Sequence, residues 1–180
     1  MVDILKRMQT EEKYVCIHAD ETNPSKFIYG KIIGTDPDNF AISMVSPDGE
    51  YDGVLVKQID DIVCIEQSVS YESKMKMLMD IRGHVEKKWM VTSENILQWG
   101  LTAAKKMGMI VSIELNHSGI DDIVGFVDSI NDKVCKMVQI NEYGEEDGTS
   151  YFTLKNISQL CFDSCDERRL LLLNRILTGI

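Results

Sequence analysis

A short pattern that recurs at a fixed distance constrains this chain more than any other feature. Gly-Glu-x-Asp-Gly occupies residues 49–53 and again 144–148, an offset of 95. Carried along the chain without gaps, that offset pairs Gly30 with Gly125, Ile62 with Ile157, Glu72 with Glu167 and Leu78 with Leu173. Across positions 30–78, 8 of 49 residues are identical. Apolar residues also meet apolar ones at Ile32/Val127, Ile42/Met137, Val45/Ile140, Ile59/Leu154 and Ile65/Leu160. Glycine is kept where the backbone needs positive φ or a close approach, so glycines in register report a shared backbone path. The reading is a duplicated domain, 1–88 followed by 89–180.

Each half predicts the same order of elements. The first opens on a helical pattern over 2–9, with Ile4, Leu5 and Met8 on one face. Strand-like runs follow at 14–19, 27–34, 40–45, 53–59 and 62–66, separated by turns at 19–26, 35–39, 46–52 and 60–61. The second half opens on a helix over 93–108, with Ser93 as N-cap, Lys105-Lys106 in the last turn and Gly108 as the stop. Its strands fall at 110–115, 123–130, 134–140, 150–156 and 157–162. A helix closes each half. The first runs from a Ser70 cap as far as 89 and links the two halves; the second covers 164–177 behind Ser164. Both acidic patterns then join a third strand to a fourth, where Asp-Gly is hairpin chemistry. They lack the dense oxygen spacing of a calcium loop.

Composition narrows the function class. The 180 residues carry 29 acidic and 19 basic side chains, a net charge of −10. That balance disfavours a broad polyanion-binding surface, because nucleic-acid affinity rests on Lys and Arg neutralising phosphates. No apolar run reaches the roughly 18 residues of a membrane span. The first residues lack a signal-peptide pattern. Five cysteines without a C-x-x-C read as reduced thiols, so a cytoplasmic location is expected.

A helix followed by five short, bent strands resembles the Sm-like fold, a small SH3-type β-barrel. Residues 30–42, GKIIGTDPDNFAI, look like the first Sm motif, and residues 54–66, VLVKQIDDIVCIE, loosely resemble the second. The pattern G-x-I, DG-x-x-DG, I-x-x-I-E (residues 30–32, 48–53 and 62–66) also resembles that of a family of bacterial proteins with no assigned activity. The expected fold is therefore mainly β with flanking helices: two tandem Sm-like five-stranded barrels. By that resemblance, Asn39, supported by Asp36, and Lys57 would form the RNA-base pocket of the first barrel. Gln58 stands where the family has Gly, and Lys57 lacks the planar fork of Arg. In the second half Val134 and Phe152 occupy the corresponding positions, so no pocket is expected there.

Other candidates are sparse. Cys165 begins the closing helix, where a thiol pKa can fall, and is the candidate reactive thiol. Cys161 and Cys165 lack a second ligand pair for zinc, and His18, His84 and His117 follow no metal spacing. No metal or cofactor is expected. Met75, Met77 and Met79 spread over more than one helix face and suggest packing against a domain or subunit. Residues 170–177, LLLLNRIL, are apolar around most of a helix and must be covered, either by the first barrel or by a second chain; the second would make an oligomer. No nucleophile–base pair or phosphate-cradling loop is visible. The expectation is a non-catalytic interaction or regulatory module that binds protein and self-associates through barrel edges. An RNA-binding protein using the first barrel is the alternative, and a thiol or zinc activity a weaker one.

Overall fold

A computed structural model describes residues 1–20, 23 and 25–179 of the chain. The turn expected over 19–26 therefore falls partly outside the described residues. The chain divides into two compact units, Met1–Ile96 and Leu97–Ile180, where the sequence suggested a boundary at 88/89.

The first unit contains α1 (Val2–Thr10), β1 (Tyr14–His18), β2 (Ile28–Thr35), β3 (Asn39–Val45), β4 (Tyr51–Gln58), a one-turn 3-10 helix (Ile59–Asp61), β5 (Cys64–Glu66) and α2 (Val69–Arg82). Its strands form an antiparallel sheet in the order β5-β1-β2-β3-β4. Helix α1 packs on β2 through buried Leu5 and Met8. Ile4, expected on that face, is exposed, because the buried stripe of a helix this short holds little more than one i, i+3 pair. On α2, Met75 and Met79 are buried with Cys16, Tyr29 and Val45, while Met77 points to solvent. Each fully buried side chain of that size is worth about 1.5–3 kcal/mol of hydrophobic transfer.

Helix α2 is shorter than the sequence suggests. Its cap is Ser68, whose hydroxyl accepts from Tyr71 N, and it stops at Gly83 in the left-handed conformation at φ 63°. Residues 84–95 continue without a helix and lie along the first unit. Lys31 Nζ pairs with Glu86 at 2.8 Å, and the Trp89 indole N–H donates to the Tyr51 hydroxyl at 3.1 Å. The expected helical link as far as 89 is thus corrected: a glycine C-cap terminates it.

The second unit contains α3 (Ile96–Met107), β6 (Ile110–Leu115), β7 (Ile123–Ile130), β8 (Val134–Ile140), β9 (Glu146–Thr153), a one-turn 3-10 helix (Leu154–Asn156), β10 (Ile157–Phe162) and α4 (Cys165–Thr178). The sheet order is β10-β6-β7-β8-β9, antiparallel throughout. Helix α3 begins at Ile96 and not at 93; the Ser93 hydroxyl accepts from Asn95 N, two residues on, and does not cap the helix. Ser164 caps α4 in a reciprocal capping box with Glu167. Leu101, Ile110, Ile113, Met137 and Leu160 are fully buried, and Trp99 meets Phe162 edge-on at 6.1 Å.

The ladders inside the two units follow the same register. Gly30 faces Met44 and Gly125 faces Gln139; Ser43 faces Val54 and Val138 faces Thr149; Val45 faces Tyr51 and Ile140 faces Glu146. The acidic patterns split into two devices. Gly49 and Gly144, at φ 84° and 86°, make the turns, whereas Gly53 and Gly148 lie inside β4 and β9 at a register shift. The second Asp-Gly is therefore a β-bulge and not part of the turn, and both fourth strands start earlier than expected.

Closed five-stranded barrels are not what the chain forms. The ladders run from β5 to β4 and from β10 to β9, and among the described residues no pairing joins β4 to β5 or β9 to β10. Each unit holds an open sheet. Strand alternation specifies which face is buried, but closure also demands a matching tilt and stagger.

Candidate functional site

The residues assigned to a base pocket all lie in the first unit, but the structure does not gather them into one site. Asp36, 6% exposed, sits in the turn between β2 and β3. Its Oδ1 accepts from Asp38 N at 2.8 Å and Asn39 N at 2.6 Å, and its Oδ2 accepts from Ile96 N at 2.7 Å. Asn39 faces Gln58 and Phe40 faces Lys57, so Asn39 and Lys57 belong to opposite faces of the β3–β4 ladder. The Lys57 ammonium is mostly buried and lies 3.3 Å from Asp61 Oδ2. A cation held by a carboxylate has less charge to offer a phosphate.

The thiols are dispersed. Cys165 is exposed at the first position of α4, and Cys64 is exposed on β5. Cys161 Sγ approaches Glu167 Oε2 at 3.8 Å. Burial pushes the Cys16 and Cys135 thiols up to about 11. Among the described residues, no three His, Cys, Asp or Glu side chains are grouped to hold a metal ion. His18 Nε2 lies 3.4 Å from Glu66, His84 follows the α2 cap, and the His117 backbone N–H donates to the Ser158 hydroxyl. Among the described residues, no helix is long and apolar enough to cross a membrane.

Several carboxylates of the second unit hold backbone in place. Glu167, 4% exposed, accepts from the Ser112 hydroxyl at 2.6 Å and from Ser164 N at 2.9 Å. Buried Glu114 accepts from Gly119 N at 2.8 Å. Asp122 accepts from the Ser118 hydroxyl and Leu115 N, and these bonds hold its carboxyl below the usual range. Asp121 is shifted the other way, by partial desolvation and then by the negative charges of Glu167, Glu114, Asp166 and Asp122.

The feature best shaped for recognition is β9. Among the described residues it pairs with β8 alone. Five of its eight residues are exposed, Tyr151 by 70%, two are half-buried, and only Phe152 is buried. Leu154 N donates to Lys133 O, which fixes the alternation of an antiparallel ladder: the amides of Phe152 and Ser150 face β8. The backbone groups of Thr149, Tyr151 and Thr153 therefore face away from it. Beside this edge, Lys136 lies opposite Tyr151 with its ammonium 5.9 Å from the ring, and it bonds Asp128 at 2.8 Å. That bond raises the Lys136 pKa and lowers that of Asp128. Sequence reasoning missed the first half of β9 because Asp-Gly read as turn. The alternation of Thr149, Tyr151 and Thr153 was the signal for a longer strand.

Each closing helix also exposes an apolar i, i+4 pair, Met77 with Ile81 on α2 and Leu172 with Ile176 on α4. The remaining leucines of the LLLLNRIL stretch are half-buried within the second unit, apart from exposed Leu177. Comparison with protein families, curated proteins and solved structures finds no match to this chain.

Proposed function

We propose that this chain is a duplicated Sm-type module that works by binding protein, without a catalytic step, and that it self-associates through a strand edge. The observation that carries the reading is β9, an eight-residue strand paired on one side only, with outward amides at Thr149, Tyr151 and Thr153. An open edge of that length offers main-chain hydrogen bonds to another strand. The matching ladder registers support the duplication, and a helix followed by five strands in each unit supports the likeness to the Sm-like fold. The engagement of Asp36, Glu114 and Glu167 with backbone amides supports a structural role for these acids.

The test is a cross-linked pull-down of the tagged chain from cytosol, reading protein and RNA in one eluate. We expect a reproducible protein partner, with a second copy of the chain among the cross-linked species and no RNA above a charge-matched control. Enriched RNA that is lost in Asn39→Ala or Lys57→Ala would replace this reading with the RNA-binding one. A thiol activity would instead show as Cys165 alkylating at least about tenfold faster than equally exposed Cys64, as expected for an activated thiolate.

A further inference from the structure

We propose that the solvent face of α4 is a docking surface for an acidic amphipathic helix of a partner protein. This goes beyond the strand-edge reading, because the surface lies on a different element and does not use β9. It starts from where the arginines fall. The chain has five, and three of them, Arg168, Arg169 and Arg175, stand close together on α4. At about 3.6 residues per turn, side chains three and four positions apart share a face. Arg168, Arg169, Arg175 and Ile176 therefore surround Leu172. The fold turns this face to solvent: Leu172 is 60% and Ile176 68% exposed, and all three arginines are exposed, while Glu167 on the other side is buried. Arg169 bonds Asp166 at 3.0 Å, and Arg168 donates to the Asp163 carbonyl. One carboxylate against three guanidinium groups leaves the face basic in a chain whose net charge is −10.

The repeat supplies an internal comparison. At the offset of 95, Leu172 and Ile176 correspond to Met77 and Ile81, the apolar pair that α2 leaves exposed. The three arginines correspond to Ser73, Lys74 and Asp80, whose charges cancel. An exposed apolar pair is thus common to both helices, and the basic frame around it belongs to α4. That frame selects the occupant. Two apolar side chains one turn apart match the i, i+4 ridge of another helix. Guanidinium groups bond carboxylates in bidentate fashion, so Glu or Asp beside that ridge completes the fit. A broad anionic surface is a poorer match. It meets the whole chain and its net charge of −10, whereas a single helix senses mainly the charges within a Debye length of about 10 Å.

The test is fluorescence anisotropy of the full chain with a labelled helical peptide of about four turns, carrying Leu at i, i+4 between Glu residues. The expected Kd is on the order of 10–100 µM, the range of a small, weak interface. A peptide with the same Glu residues and Ser in place of both Leu should bind roughly tenfold more weakly. Leu172→Ser with Ile176→Ser, and separately Arg169→Glu with Arg175→Glu, should each weaken binding roughly tenfold or more. Met77→Ser with Ile81→Ser, the corresponding change on α2, should leave the affinity unchanged. All these positions are exposed, and circular dichroism checks that each variant is folded. If one α4 variant unfolds, the other and the peptide comparison still decide the matter. Absence of binding by the leucine peptide overturns the proposal. So does equal affinity for the two acidic peptides, affinity indifferent to the α4 substitutions, or an equal loss on changing α2. Sedimentation with vesicles of anionic lipid is the remaining arm. Capture of the chain there, lost in Arg169→Glu with Arg175→Glu and without peptide binding, would assign the face to a membrane instead. The β9 edge is read separately by the cross-linked pull-down, so either reading can fail without the other.

Discussion

Asp36 accepts three backbone amides within 2.8 Å from a position that is 6% exposed. A buried carboxylate in that role is a structural fastener, and removing it orphans three donors at once. Asp36→Ala should cost about 2–4 kcal/mol, since charge-assisted bonds are worth about 1.5–3 kcal/mol and are only partly additive. Urea denaturation reads this as a lower midpoint with an unchanged slope. Asp121 behaves in the opposite sense. Its folded pKa is raised, by desolvation first and then by neighbouring carboxylates, so the folded chain holds a proton there more tightly than the unfolded chain. Stability therefore falls as pH rises through the ordinary Asp range towards the raised folded value, and the penalty is complete above it. Asp121→Asn should raise the melting temperature slightly at pH 7, less so in high salt, and leave it unchanged near pH 3. A lower melting temperature at pH 7 would mean that the charge is stabilising.

Elements were legible wherever one local rule decided them. Strands β1, β6, β7, β8 and β10 lie within a residue of their expected spans, because alternation and flanking turns agree there. Errors arose where two rules compete. Asp-Gly signals both a hairpin turn and a glycine bulge, so the starts of β4 and β9 were misplaced. Gly83 ends α2 inside a run of otherwise good helix formers. Asp36 and Lys57 stood out through the Sm resemblance; the Asp36 bonds to Asp38 N and Asn39 N and the Lys57–Asp61 pair are local, but the third Asp36 partner, Ile96 N, lies 60 residues away, where no local pattern shows it. The two glycine devices make a graded prediction. A Cβ on Gly144 would meet Leu173 Cβ and Asn174 N of α4 at 2.8 Å, in a left-handed backbone; one on Gly148 would meet nothing within 4 Å. Gly144→Ala should therefore cost about 2–4 kcal/mol from strain and overpacking together, and Gly148→Ala about 1–2 kcal/mol from backbone strain alone. Equal midpoints in urea for the two variants would show that the turn does not bear on α4.

At the scale of the whole molecule, a net charge of −10 makes the sign of the salt dependence diagnostic. A protein that binds nucleic acid through Lys and Arg loses affinity steeply as salt rises, because displaced counterions are worth less. Two copies of this chain begin instead from mutual repulsion, screened over a Debye length of about 10 Å at 0.1 M salt. Exposed ion pairs contribute little at any ionic strength compared with the main-chain bonds of a strand edge. Self-association should consequently strengthen between about 20 and 150 mM salt, conditions that span the collapse of the Debye length from above 20 Å to about 8 Å. Binding to single-stranded RNA, if it occurred, would weaken over the same interval. Parallel titrations by sedimentation and by fluorescence anisotropy with a labelled oligonucleotide separate the two behaviours on one preparation. An anisotropy signal that falls with a steep negative slope, beside a sedimentation profile that stays monomeric, would move the function of this chain from its strand edge to the first unit, with Asn39 and Lys57 as the residues to substitute first.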